Sequence, residues 1–214
     1  KGGAGPRGDK ASERENWDGK VEGARSERQG LAKSKNMVSI RLRQAIGPKY
    51  AQSTLARFGF EPEKHPAYLT MALGAGSVTP WEMIGAYSVF ANGGYKINPY
   101  FITRIVDTAG HDLARVDKLV AGDEANRVID ARNAFITDSL LRSVAKFGTA
   151  ARITAVLKRN ALAGKNGTTH ESHDAWVPGY SHDHLAGLAW IGREQPGAVG
   201  ERESQLGLRR RDQV

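Results

Sequence analysis

A chain of 214 residues with 40% hydrophobic content has the length of one ordinary domain and enough apolar mass to bury a core of its own. Its formal charge of +8 suits an anionic partner, but much of the excess lies in runs such as Lys33, Lys35, Arg41, Arg43 and Arg209 to Arg211, with no aromatic residues interleaved for base stacking, which argues against a nucleic-acid surface. Cysteine is absent, excluding disulfides, thiolate catalysis and cysteine-type zinc sites. No stretch of about 18 apolar residues and no apolar segment behind a basic N-terminus are present, so any membrane anchor is expected outside this chain.

From residue 1 to about residue 30 the sequence is mostly Gly, Lys, Arg, Glu and Asp, with Trp17 and Val21 nearly alone as large apolar side chains. Such a composition cannot bury enough surface to offset the entropy of ordering and reads as a loose lead-in. Met37 to Ile46 places Val38, Leu42, Ala45 and Ile46 on one helical face, and Gly47-Pro48 ends it. A second short helix follows, with Ala51, Leu55 and Phe58 inward and Gly59 as its stop. Thr79-Pro80-Trp81-Glu82 is a helix-start signature: Thr79 can cap, Pro80 fits the first helical position, and Glu82 can reach back to the cap. That helix runs through Ile84, Tyr87 and Ala91 to Asn92-Gly93-Gly94.

Tyr100 to Asp107 and Asp112 to Val116 flank Thr108-Ala109-Gly110-His111 and read as a hairpin. Asp130 to Phe147 is the longest helical stretch, with Ile136, Leu140 and Val144 on one stripe and Gly148 beyond its end. Three strand-like runs follow, Asn160 to Thr169, Asp174 to Tyr180 and Leu185 to Gly192, the last apolar on both faces as in a strand covered on both sides. Trp81, Trp176 and Trp190 read most simply as core residues. The expected fold class is α/β in the layered α+β sense, an antiparallel sheet flanked by helices. The folded part spans residues 31–192, with residues 193–214 a frayed tail.

Two short patterns carry chemistry. Ser34-Lys35-Asn36 opens the run Leu31 to Leu42, and Gly164-Lys165-Asn166-Gly167-Thr168-Thr169 lies on the first of the late strands. Between and after them come Ala72 to Pro80, Tyr87 to Tyr95, Pro99 to Ile102 and Ser172 to Trp176. In this order, over roughly Leu31 to Gly192, the chain resembles class A, bifunctional penicillin-binding proteins, whose shared elements are Ser-x-x-Lys, Ser-x-Asn and Lys-Thr-Gly. The resemblance implies a β-lactamase-like transpeptidase fold, incomplete at its N-terminus, and a serine acyl-enzyme that cross-links peptidoglycan by attacking D-alanyl-D-alanine. It implies peptidoglycan stem peptides as substrate, β-lactams as inhibitors, no cofactor, no nucleic acid, and the periplasmic face of the bacterial inner membrane as location.

By the same resemblance Ser34 would relay a proton between the leaving nitrogen and Lys165, Asn36 would hydrogen-bond the substrate amide, and the Lys165 ammonium would attract the substrate carboxylate. Asn166, Gly167, Thr168 and Thr169 would line the substrate, with the Thr168 backbone N–H as one oxyanion donor and the strand edge adding the stem peptide as a further strand.

The sequence departs from the pattern twice. Position 166 is Asn where the family has Thr or Ser; Asn can still donate an N–H to a carboxylate but cannot relay a proton as a hydroxyl can. No Ser-x-x-Lys occurs from Lys1 to Lys33, so the chain is expected to be a piece of an enzyme whose nucleophile lies upstream. One literal match, Ser143-Val144-Ala145-Lys146, falls after the Ser-x-Asn element and on a helix, the wrong place for that role.

Plainer readings stand beside these. Ser34 and Asn36 are both residue types that cap helices, and Lys165-Asn166-Gly167 has the look of a hairpin turn. A remnant that binds muropeptide without being acylated is the alternative function. His170, His173, His182 and His184, with Asp174 and Asp183, offer a third, a zinc-dependent hydrolase.

Overall fold

The computed structural model describes residues 23, 25–168, 174–181 and 185–192. Six α-helices and six β-strands occupy these residues: α1 (Glu27–Ala32), α2 (Asn36–Ile46), α3 (Pro48–Leu55), α4 (Pro80–Ala91), β1 (Arg104–Val106), β2 (Asp112–Arg115), α5 (Ala131–Phe147), α6 (Ala151–Leu157), β3 (Leu162–Gly164), β4 (Gly167–Thr168), β5 (Ala175–Ser181) and β6 (Ala186–Ile191). The layered arrangement expected from the sequence is present. α1 begins at Glu27, inside the stretch whose composition reads as lead-in, with the Ser26 side chain accepting from the backbone N–H of Gln29.

The main sheet is antiparallel, with β5 in its middle, β6 on one side, and β3 and β4 in line on the other. Leu162 pairs with Ser181 and Thr168 with Ala175 in one unbroken register, so β3 and β4 are a single strand interrupted at Lys165 and Asn166. The cause is on β5. Pro178 stands opposite Lys165; the Lys165 N–H donates to Pro178 O at 3.2 Å, but proline has no N–H to return the bond. Lys165 is thus held by half a ladder rung.

β5, not β6, is the strand buried along its length; β6 is half-exposed. The β6 run is the more apolar of the two, so what separates them is position: among the described residues β5 has neighbours on both edges and β6 on one. Val177 of β5 packs with Val144, Ala145, Ala150, Ile153 and Leu162, while Tyr180 packs with Leu141 and Ala163, flanked by Tyr87 and Phe90 of α4.

α5 runs over the expected residues, capped by the Asp130 side chain on Arg132 N, but its buried face is Ala134, Leu141, Val144 and Ala145; Ile136 is 53% exposed. The face of α2 is also rotated. Ile40 and Arg43 are buried, whereas Leu42 and Ile46 face outward, because the aliphatic stem of Arg43 fills the interface and its Nε donates to Tyr68 O at 2.9 Å. Trp81 and Trp190 are not core residues either: Trp81 stacks on Phe101 at 4.5 Å, and Trp190, paired with Trp176 across β5 and β6, donates from Nε1 to Asp174.

α4 starts as the sequence expects. Thr79 Oγ1 accepts from Glu82 N at 3.1 Å while Glu82 Oε2 accepts from Thr79 N at 2.7 Å, and these bonds, the backbone one foremost, lower the Glu82 carboxyl pKa. Because this cap is exposed, Thr79→Ala is expected to cost about 1 kcal/mol, and calorimetry should show a melting point lower by roughly 2–4 °C.

Candidate active site

The site begins with the end of α1. Lys33 is its C-cap, the Ser34 N–H donates to Leu31 O at 3.1 Å, and the Lys35 N–H donates to Gly30 O at 2.8 Å. That pair of bonds is a Schellman motif, and it places Ser34 at the left-handed position, φ +51°, which glycine ordinarily fills. A serine there is strained by about 1 kcal/mol relative to glycine. The Ser34 hydroxyl meets Lys165 at the gap between β3 and β4, where Lys165 Nζ donates to Ser34 Oγ. Lys165 Nζ also donates to Asn166 O at 2.6 Å.

The turn is pinned from behind. Gly30 lies so close to Val38 that a Cβ would come within 2.6 Å of its side chain, and Gly148, at the end of α5, lies against Ala32 O. The Thr149 N–H donates to that same Ala32 O at 2.9 Å. Thr149 therefore bridges the two halves of the site, since its hydroxyl also donates to Asn166 Oδ1. With Oδ1 occupied, the amide N–H₂ is what Asn166 presents to a ligand.

Lys165 is mostly buried. Its stem lies beside a small apolar cavity lined by Ala145, Ala150, Ile153, Leu162 and Val177, and this desolvation holds its ammonium pKa down to about 8. An amine with that value is still mostly cationic at neutral pH and gives up its proton readily just above it. Gly167 and Thr168, one step along the edge, are exposed.

The structure thus brings Ser34 and Lys165 into direct contact across 131 positions of sequence, with Asn166, Gly167 and Thr168 continuing along the same edge. Asn36 is the first residue of α2, two positions from Ser34. No side chain caps α2, whose N-cap is Lys35, so the capping role does not account for Ser34 or Asn36. Nor is Lys165-Asn166-Gly167 a hairpin turn, because the strand continues beyond it in register. Thr169, His170, His173, His182 and His184 lie outside the described residues, and among those described no group of three or more His, Asp or Glu side chains is placed to hold a metal.

Ser143, the literal Ser-x-x-Lys match, is buried in α5. Its hydroxyl donates to Ser139 O at 3.1 Å and accepts from Arg28 Nη1 at 2.7 Å, while Lys146 is exposed. This is a serine tied to its own helix backbone.

The model of the penicillin-binding protein transpeptidase domain matches residues 4–190. The chain belongs to that family. Penicillin-binding protein 1A of Neisseria flavescens is 45% identical over 89% of this chain, and that of Pseudomonas aeruginosa 39% identical over 82%. The chain spans about a quarter of the length of these curated relatives, 24% and 27% respectively. Among solved structures, penicillin-binding protein 1A from Haemophilus influenzae superposes with a TM-score of 0.81 at 29% identity, covering 92% of this chain and 36% of that one. An imipenem acyl-enzyme complex of penicillin-binding protein A from Mycobacterium tuberculosis shares the fold, with a TM-score of 0.67 at 18% identity over 93% of this chain and 50% of that one. The layered architecture is therefore the β-lactamase-like fold of these transpeptidases.

Proposed function

We propose that this chain carries the Ser-x-Asn element and, as Lys165-Asn166-Gly167, the counterpart of the Lys-Thr-Gly element of a peptidoglycan D-alanyl-D-alanine transpeptidase, a serine acyltransferase of cell-wall synthesis and a β-lactam target. The observation that carries the reading is the contact between Lys165 and Ser34 at the exposed start of β4. A stem peptide laid along Gly167 and Thr168 would bring its terminal carboxylate to the Lys165 ammonium and the Asn166 amide. Ser34 would pass a proton between the leaving nitrogen and Lys165, Asn36 would hold the substrate amide, Thr168 N–H would help hold the oxyanion, and Thr169 would complete the edge.

The acylated serine in this reading is contributed from outside the Ser34–Lys165 pair, by a Ser-x-x-Lys element that residues 1–33 do not contain. The work is placed at the periplasmic face of the bacterial inner membrane, where the substrate is. Among the described residues no helix is long and apolar enough to cross a membrane. The transpeptidase-like portion is taken as residues 31–192, and α1 extends the folded chain back to Glu27.

Calorimetric titration with a peptide ending in D-alanyl-D-alanine tests the reading. Binding is expected to weaken about 10- to 100-fold when the peptide's terminal carboxylate is amidated, and by a similar factor in Lys165→Ala, as loss of a charged hydrogen bond implies. Equal binding of acid and amide would refute the carboxylate pocket. Peptide binding by a fusion of this chain to the Ser-x-x-Lys segment of a relative, without any β-lactam adduct, would favour a non-acylating muropeptide binder.

A further inference from the structure

We infer that Thr149 is a positioning residue for substrate selection: its hydroxyl fixes which end of the Asn166 amide faces the stem peptide, and so makes this edge favour a terminal carboxylate over a terminal amide. The role rests on the transpeptidase reading for the identity of the ligand.

The need for such a residue comes from position 166. A hydroxyl, which the family has there, is both donor and acceptor and rotates to suit whatever meets it. A primary amide has two unlike ends of nearly the same shape, and only its N–H₂ end suits a carboxylate. Turned about, Asn166 would set its oxygen against those of the substrate. With asparagine at 166, a neighbouring group must choose the end.

Thr149 is placed to make that choice. Its hydroxyl donates to Asn166 Oδ1. The backbone carbonyl of Asn166 is engaged too, accepting from Lys165 Nζ at 2.6 Å. Both oxygens of Asn166 are thus bonded within the chain, and the N–H₂ group is left for a ligand.

Thr149 itself is held. Its N–H donates to Ala32 O at 2.9 Å, Gly148 before it lies against that same carbonyl, and Ala150 after it is buried. The start of α6 goes without a side-chain cap, at Ala150, while the hydroxyl one residue earlier turns to Asn166.

Calorimetric titration of the full chain with a peptide ending in D-alanyl-D-alanine, as the free acid and as the terminal amide, gives the ratio of the two affinities. Thr149→Val keeps the shape and the backbone bond to Ala32 but lacks the hydroxyl, so Asn166 can turn. The acid should then bind more weakly and the amide no worse, lowering the ratio by about 3- to 10-fold, the usual worth of one hydrogen bond. Thr149→Ala, also without a hydroxyl, should give the same ratio if Thr149→Val does not fold. Thr149→Ser retains the hydroxyl and should keep the ratio within about twofold of the parent. In an Asn166→Thr background, where the hydroxyl at 166 turns unaided, Thr149→Val should change the ratio by less than about twofold.

A merely structural Thr149 would weaken both peptides equally and leave the ratio where it was. That result, or an undiminished effect of Thr149→Val in the Asn166→Thr background, would overturn the role of Thr149 while leaving the carboxylate pocket standing. A parent that does not favour the acid, whether it binds both peptides alike or neither, would overturn the pocket and this role with it.

Discussion

Gly148→Ala is expected to destabilise the fold by about 3 kcal/mol and to lower its melting point by roughly 6–12 °C. A Cβ at position 148 would sit 2.2 Å from Ala32 O, 2.9 Å from Ala32 C and 2.9 Å from Val144 Cα. All three are backbone atoms, so no side-chain rotation relieves the overlap; α1 must separate from α5 or the end of α5 must unwind. Either movement disturbs the Thr149 N–H bond to Ala32 O and, through Ala32, the turn that holds Ser34 two residues later. The variant should therefore lose site function along with stability. Gly85→Ala is the control: position 85 is inside α4, its Cβ would meet Pro99 at an ordinary 3.7 Å, and replacing a helical glycine should stabilise by up to about 1 kcal/mol. If calorimetry shows Gly148→Ala within about 0.5 kcal/mol of the parent, the ordinary range for surface changes, then the α1–α5 junction is not what positions Ser34.

Features governed by a few adjacent residues were legible in the sequence. The Thr79–Glu82 capping box, the turn around Gly110 and the extent of α5 follow from local chemistry and appear as read. The pairing of Ser34 with Lys165 was legible only through the order of the motifs, because no local pattern relates positions so far apart. The features missed depend on partners. On α2, hydrophobic periodicity pointed to Leu42 and Ile46, but Arg43 found a carbonyl at Tyr68 and took the inner face. The Schellman motif was hidden because its usual marker is glycine and this chain has Ser34 there. Pro178 was the one unused signal. A proline inside a strand marks the rung where the ladder breaks, and here that rung belongs to Lys165.

Lys165→Met should make the chain more stable at pH 7 by as much as about 3 kcal/mol, and should erase a rise in stability that the parent shows in alkaline solution. In the folded chain burial lowers the Lys165 pKa from its ordinary 10.5 to about 8, whereas in the unfolded chain it returns to that ordinary value. Below pH 8 the amine is charged in both states, and the folded state bears the whole cost of keeping an ammonium out of water. Between pH 8 and 10.5 the unfolded chain holds the proton that the folded chain has lost, so unfolding free energy rises with pH across this window and is level beyond it. Methionine has a similar length and no charge, which removes both the cost and the pH dependence. Subtracting denaturation curves of parent and variant at each pH cancels every other titrating group. Parallel curves from pH 7 to 11 would show that Lys165 is solvated and that the site lacks the buried amine on which the carboxylate pocket depends. A difference that closes across the window would show a chain holding a charge at neutral pH against its own stability, as a site must if that charge is to meet a carboxylate from outside.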